Sequence, residues 1–161
     1  MLIGCFSQGC VNDEDPQGIA LKAGDSLPDF SVVLSDGSEI SKSSLLGYVP
    51  VIVFFNTGCS DCRLELPVIQ RLWEEYKNNS EVKIFAVARE ENAESISDYW
   101  SKNNLTIPWS PQETRDVYSL FAPSVIPRIY IADKSGIITF ASGDVDMPDL
   151  KTLSKAIEDN L

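Results

Sequence analysis

Histidine is absent from this chain of 161 residues, and basic residues are scarce: 13 Lys and Arg face 24 Asp and Glu, a formal net charge of -11. Without histidine the commonest general base and the commonest metal ligand are missing, so Ser-His and Cys-His hydrolysis and His-based zinc sites drop out. The acidic balance argues against nucleic acid as a partner, because phosphate-backbone binding is supplied by clustered Lys and Arg. No stretch reaches the roughly 20 apolar residues of a spanning helix. What remains for chemistry is four cysteines and a surplus of carboxylates. The length and the 43% apolar content suit one ordinary domain with a sizeable core, taken here as a monomer.

The first residues read as a leader. Met1-Leu2-Ile3-Gly4-Cys5 resembles the tail of a secretory signal ending in a bacterial lipobox, although a basic n-region and most of an h-region are missing. Cys5 or Cys10 is the candidate for lipidation. Cys5 has the better residues before it, whereas Cys10 is followed by the acidic run Val11-Asn12-Asp13-Glu14-Asp15, the start of some surface-exposed lipoproteins. Either choice implies export to a bacterial periplasm or cell surface, with membrane contact through a lipid anchor only; the alternative leaves both cysteines in a leader without a role. Residues 1–22 are therefore expected to be leader and tether, and residues 23–161 the folded domain.

From residue 23 the pattern is globular. Residues 31–34 and 39–40 flank Ser35-Asp36-Gly37-Ser38 and predict an N-terminal hairpin. A short helix over 41–46, closed by Gly47, precedes a near-continuous apolar run at 49–55, the signature of a central strand buried on both faces. Leu64, Val68 and Leu72 recur at four-residue spacing and predict a core-facing helix over 60–77, kinked at Pro67. A strand over 82–88, a helix over 93–102 capped by Asn92, a loop over 107–112 and a helix over 113–121 follow. Two strands around Asp133-Lys134-Ser135-Gly136 form a second hairpin signal, and 149–161 closes the chain as a helix. Strands alternating with helices indicate an α/β fold, a central sheet covered by helices on both faces.

Chemistry concentrates at Cys59-Ser60-Asp61-Cys62, which lies between the apolar run and the helix that carries Pro67. A strand that delivers two thiols onto the first turn of a helix sets the leading sulfur beside unsatisfied backbone N–H groups, where a thiolate is stabilised. Cys59, at an exposed helix start, is then the candidate nucleophile, and Cys62, one turn inward, the resolving thiol. Half of a zinc site and an inert structural disulfide are the competing readings of the same spacing.

The Cys-x-x-Cys at a strand–helix junction, the proline five residues beyond it and Val125-Ile126-Pro127 before the second hairpin together resemble the thioredoxin superfamily, in particular membrane-tethered thiol-disulfide oxidoreductases of the ResA and TlpA type. The resemblance spans residues 23–161. It implies a thioredoxin-like mixed sheet with a helical insertion between Cys62 and Pro127, and a redox-active Cys59–Cys62 disulfide in place of any cofactor or metal. It also implies a cis Pro127 with Ile126 offering its backbone to substrate, and Gly58, Ser60 and Asp61 as further substrate contacts. Glu65 fits the pattern Cys-x-x-Cys-x-x-Glu-x-Pro and is implied as the proton-exchanging carboxylate for Cys62; a solvated helix position is the other reading of it. Protein thiols and disulfides are the implied substrates, and a membrane thiol carrier the implied reductant.

Three departures from that pattern stand out. Gly58 replaces the usual tryptophan before the first cysteine, Asp61 replaces the proline before the second and opposes a thiolate by like charge, and Val53 stands where thioredoxin keeps a buried aspartate. A thiol peroxidase of the peroxiredoxin type shares the fold, but Asn56 occupies its Thr place and Ile52 its Pro place. A binding module stapled by an inert 59–62 disulfide is the third reading.

Overall fold

The computed structural model describes residues 18–142 and 147–161. Cys5 and Cys10 and most of the expected leader lie outside the described residues. The N-terminal hairpin of β1 (Ser31–Val33) and β2 (Glu39–Ser41) is separate from one mixed sheet, flanked by helices, of β3 (Val49–Phe55), β4 (Val82–Ala88), β5 (Trp109–Ser110), β6 (Arg128–Ala132) and β7 (Ile138–Ala141) in the order β5-β4-β3-β6-β7. This is the thioredoxin-like α/β fold.

The central strand β3 (Val49–Phe55) is buried at every position, as its unbroken apolar run requires. It pairs in parallel with β4 (Val82–Ala88) and antiparallel with β6 (Arg128–Ala132). Pro50 is tolerated inside it because pairing with β6 begins only at Val51, so no ladder bond is asked of the nitrogen that cannot donate. Side chains of adjacent residues on a strand point to opposite faces. Phe54 meets Tyr118, Phe121 and Tyr130, while Phe55 meets Trp100 from the helix that follows β4, so the two phenylalanines seed the core on opposite sides of the sheet.

Helix α1 (Ser60–Tyr76) joins β3 to β4, and α2 (Ala93–Lys102) starts at Asn92, whose side chain accepts from the Ser95 N–H as a cap. A two-residue strand β5 (Trp109–Ser110) pairs with β4 where the sequence predicted only loop. The helix expected over 113–121 is the single turn α3 (Asp116–Ser119). Strand β7 (Ile138–Ala141) returns from β6 through a turn at which Gly136, at φ +85°, donates its N–H to the Asp133 carbonyl. Helix α4 (Leu150–Glu158) is capped by Asp149 and packs on α1, with the Tyr76 hydroxyl donating to Glu158 at 2.7 Å. No helix among the described residues is long and apolar enough to cross a membrane.

The inner stripe of α1 differs from the predicted one. Leu64 is 64% exposed and Val68 only half-buried; the buried side chains are Cys62, Glu65, Leu66, Ile69, Leu72 and Tyr76. The spacing rule counted apolar residues and so rotated the helix away from its carboxylate, although Glu65 occupies a core position. Pro67 lies inside α1 without ending it.

Candidate active site at the strand ends

Register alone gathers the site. Phe55 ends β3 opposite Ala88, which ends β4, while Arg128 begins β6 opposite Phe54. The loop into Cys59, the loop leaving β4 and the segment into β6 therefore meet at one edge of the sheet, where ligand sites of open α/β sheets gather.

Cys59 is the N-cap of α1: its sulfur accepts the Cys62 backbone N–H at 3.4 Å. The helix start thus directs an N–H and the positive end of its dipole at that sulfur, as the sequence predicted. Cys59 is nevertheless only 5% exposed, less than an open helix start implies, and its sulfur sits 3.8 Å from the Ile126 carbonyl oxygen of the facing segment. The Ile126–Pro127 bond is cis, as the resemblance implied. Ile126 is buried and Pro127 half-buried beside it, while Gly58 and Ser60 are exposed and Asp61 is half-buried.

Cys62 is a fully buried free thiol, so the 59–62 disulfide implied by the resemblance is not the state of this structure. Burial pushes the Cys62 thiol up to about 12, a backbone hydrogen bond at Asn56 and the Arg89 cation pull it back, and the charges of Asp61 and Glu91 add to the rise. Glu65 is 3% exposed, and its Oε1 has no hydrogen-bond partner among the described residues. Desolvation, with the Asp149 carboxylate a second cause, pushes Glu65 up to about 7. The reading of Glu65 as a solvated helix residue is thereby excluded. It lies three residues beyond Cys62 on one helix, hence on the same face. Val53, at 1% exposure, leaves the strand beneath without an ionisable group.

The loops are tied together by hydrogen bonds that the sequence pattern did not reveal. Both ends of the Asn56 side chain are used within them: Nδ2 donates to the Arg89 carbonyl at 2.9 Å, and Oδ1 accepts from Gly58 at 2.8 Å. A Cβ on Gly58 would stand 3.1 Å from that Oδ1, so a larger residue here requires Asn56 to give way by a few tenths of an ångström. On the other side, Val125 sits at φ +75°, a region that β-branched residues avoid. Tyr118 donates its hydroxyl to the Val125 carbonyl at 2.6 Å, and Arg128 Nε donates to Ser124 at 2.9 Å. Tyr118→Phe removes one of these ties and is expected to lower stability by about 1 kcal/mol, read from urea unfolding midpoints.

Known proteins are similar to this one over most of the chain. Probable nucleoredoxin 1 of Arabidopsis thaliana is 29% identical over 83% of the chain and 23% of its own length. The thiol-disulfide oxidoreductase ResA of Oceanobacillus iheyensis is 28% identical over 73% of the chain and 62% of its own length. The chain thus spans less than two thirds of either relative. A solution structure of a candidate protein disulfide isomerase from Bacteroides thetaiotaomicron superposes with a TM-score of 0.79 at 25% identity, over 89% of this chain and 94% of that one. From just before the hairpin to the end of β7, residues 23–141 match the sequence model of the AhpC/TSA family, and the chain belongs to that family.

Proposed function

We propose that this protein is a thiol-disulfide oxidoreductase that reduces disulfides in protein substrates outside the cytoplasm, and that residues 23–141 carry the activity. The observation that bears most weight is the placement of the Cys59 sulfur, held by the Cys62 N–H on one side and facing the Ile126 carbonyl on the other. Cys59, as thiolate, attacks one sulfur of the substrate disulfide; that S–S bond breaks, the departing substrate sulfur takes a proton, and a mixed disulfide remains. Cys62 then gives its proton to the Glu65 carboxylate and attacks the Cys59 sulfur. The second substrate thiol leaves, two electrons have passed to the substrate, and a Cys59–Cys62 disulfide awaits a thiol reductant. Ile126 offers main-chain groups to an extended substrate segment, with Gly58, Ser60 and Asp61 at the rim.

Asn56 supports this reading over a peroxidase: its amide builds the loop, Nδ2 donating to the Arg89 and Glu90 carbonyls and Oδ1 accepting from Gly58. The two readings separate when the reduced protein is offered a glutathionylated protein and, in parallel, hydrogen peroxide. Turnover of the mixed disulfide with peroxide consumed no faster than by a free thiol is expected; rapid, saturating peroxide turnover contradicts the proposal.

Location and anchoring rest on the leader sequence and on the resemblance. A lipid on Cys5 or Cys10 holds the domain at the membrane, within reach of a membrane thiol carrier that recharges the pair. Intact mass of the protein made from its full-length gene in its own host is expected to show the acylated form; an unmodified cytosolic product contradicts export.

A further inference from the structure

Glu91 lies between β4 and α2, one residue before the Asn92 cap, and is buried. Three donors converge on its carboxylate: the Thr57 N–H on Oε2 at 2.8 Å, the Thr57 hydroxyl on Oε1, and the Ser95 hydroxyl on Oε1 at 2.9 Å. Thr57 stands two residues before Cys59, and its carbonyl is gripped from the other side by Arg63 Nε at 2.5 Å. The loop into the nucleophile therefore hangs from a carboxylate on a different strand–helix connection. A buried carboxylate is costly to keep merely as a tether, since desolvation takes back much of what its hydrogen bonds contribute.

We propose that Glu91 is a positioning residue for the exchange reaction: its carboxylate clamps the backbone entering Cys59 and holds a negative charge beside the thiol pair that slows the resolving step. The inference rests on the roles proposed above for Cys59 and Cys62. The charged groups acting on Cys62 come from two places: Asp61 on its own helix, disfavouring a thiolate, and the connection from β4 to α2, where Glu91 disfavours a thiolate and Arg89 favours one; Glu65 follows one turn along α1. Glu91 is thus the member of this set that joins loop geometry to sulfur electrostatics. A restrained Cys62 prolongs the mixed disulfide, and so the time a substrate stays held.

The test uses the reduced full chain with Cys5→Ser and Cys10→Ser throughout, reacted with stoichiometric dithiobis(nitrobenzoate). Cys59 releases one thionitrobenzoate on capture, and Cys62 releases the second as it closes the disulfide. Glu91→Gln keeps an acceptor for Thr57 and removes the charge. A tenfold gain in thiolate, offset by the weaker nucleophilicity of a more acidic thiol, leaves the second phase about threefold faster, whereas Glu91→Asp, which keeps the charge, gives no such acceleration. An unchanged or slower second phase in Glu91→Gln, or equal acceleration in Glu91→Asp, overturns the electrostatic role. Thr57→Val is expected to slow the first phase severalfold and Thr57→Ser to restore it; a first phase unmoved by Thr57→Val overturns the clamp, and this pair carries the test if Glu91→Gln does not fold. Release of only one equivalent by the unsubstituted protein defeats the exchange reading itself, a failure distinct from any effect at Glu91.

Discussion

Cys62→Ser is expected to turn the protein into a trap that accumulates mixed disulfides through Cys59, whereas Cys59→Ser abolishes exchange and captures nothing. The asymmetry follows from the helix start. Cys59 caps α1 and faces Ile126, while Cys62 is fully buried, with its thiol pushed up to about 12. A thiol so placed is a poor first nucleophile, but it is intramolecular to the Cys59 sulfur. Well-oriented intramolecular groups reach effective molarities of about 10^5 M or more, which millimolar external thiol cannot replace, so the Cys62→Ser adduct persists for at least 1,000-fold longer by order of magnitude. Non-reducing gels and mass spectrometry of the adducts read the outcome. Substrate captured equally by Cys59→Ser reverses the two roles.

Glu65→Gln is expected to make the protein less active and more stable at once. As the base for Cys62, Glu65 speeds the resolving step as pH rises through about 7, where its raised titration lies. Removing a positioned general base costs about 100-fold and flattens that inflection. For stability the sign is opposite. The carboxyl titrates at 4.5 in its ordinary setting and at about 7 in the fold, so between those values the folded state binds more protons and stability falls as pH rises. Below pH 4.5 both states are protonated and nothing is lost; above 7 the cost is complete, roughly 3 kcal/mol. Glu65→Gln escapes it, and its gain over the unsubstituted protein in chemical unfolding is present at pH 8 and absent at pH 4. A variant less stable at pH 8, with an intact pH–rate profile, shows that Glu65 has no part in proton transfer.

Much of the fold could be read from local pattern. Residues 82–88 form a strand and 93–102 a helix with the expected boundaries, because an apolar run ends in polar residues and Asn92 supplies a cap that the Ser95 N–H uses. Elements that exist only through tertiary pairing were not legible. The strand Trp109–Ser110 has two residues and no period, and is defined by the Ala86 and Val87 it joins. The site divides along the same line. Cys59, Cys62 and Pro127 are motif residues, and Glu65 was found through a family pattern while the apolar spacing around it placed Leu64 inside instead. Glu91 reaches Thr57 across 34 residues of sequence, and Tyr118 reaches a main-chain oxygen rather than another side chain. Neither leaves a periodic trace, and charged residues are ordinarily expected in water.

The exchange mechanism depends on the inequality of the two sulfurs. Reduced protein pulsed with iodoacetamide at pH 7 and digested for peptide mapping measures it directly. The expected result is carbamidomethylation of Cys59 at least about tenfold faster than of Cys62, as thiolate fraction and access dictate. Equal labelling of the two, or Cys62 modified first, contradicts the mechanism.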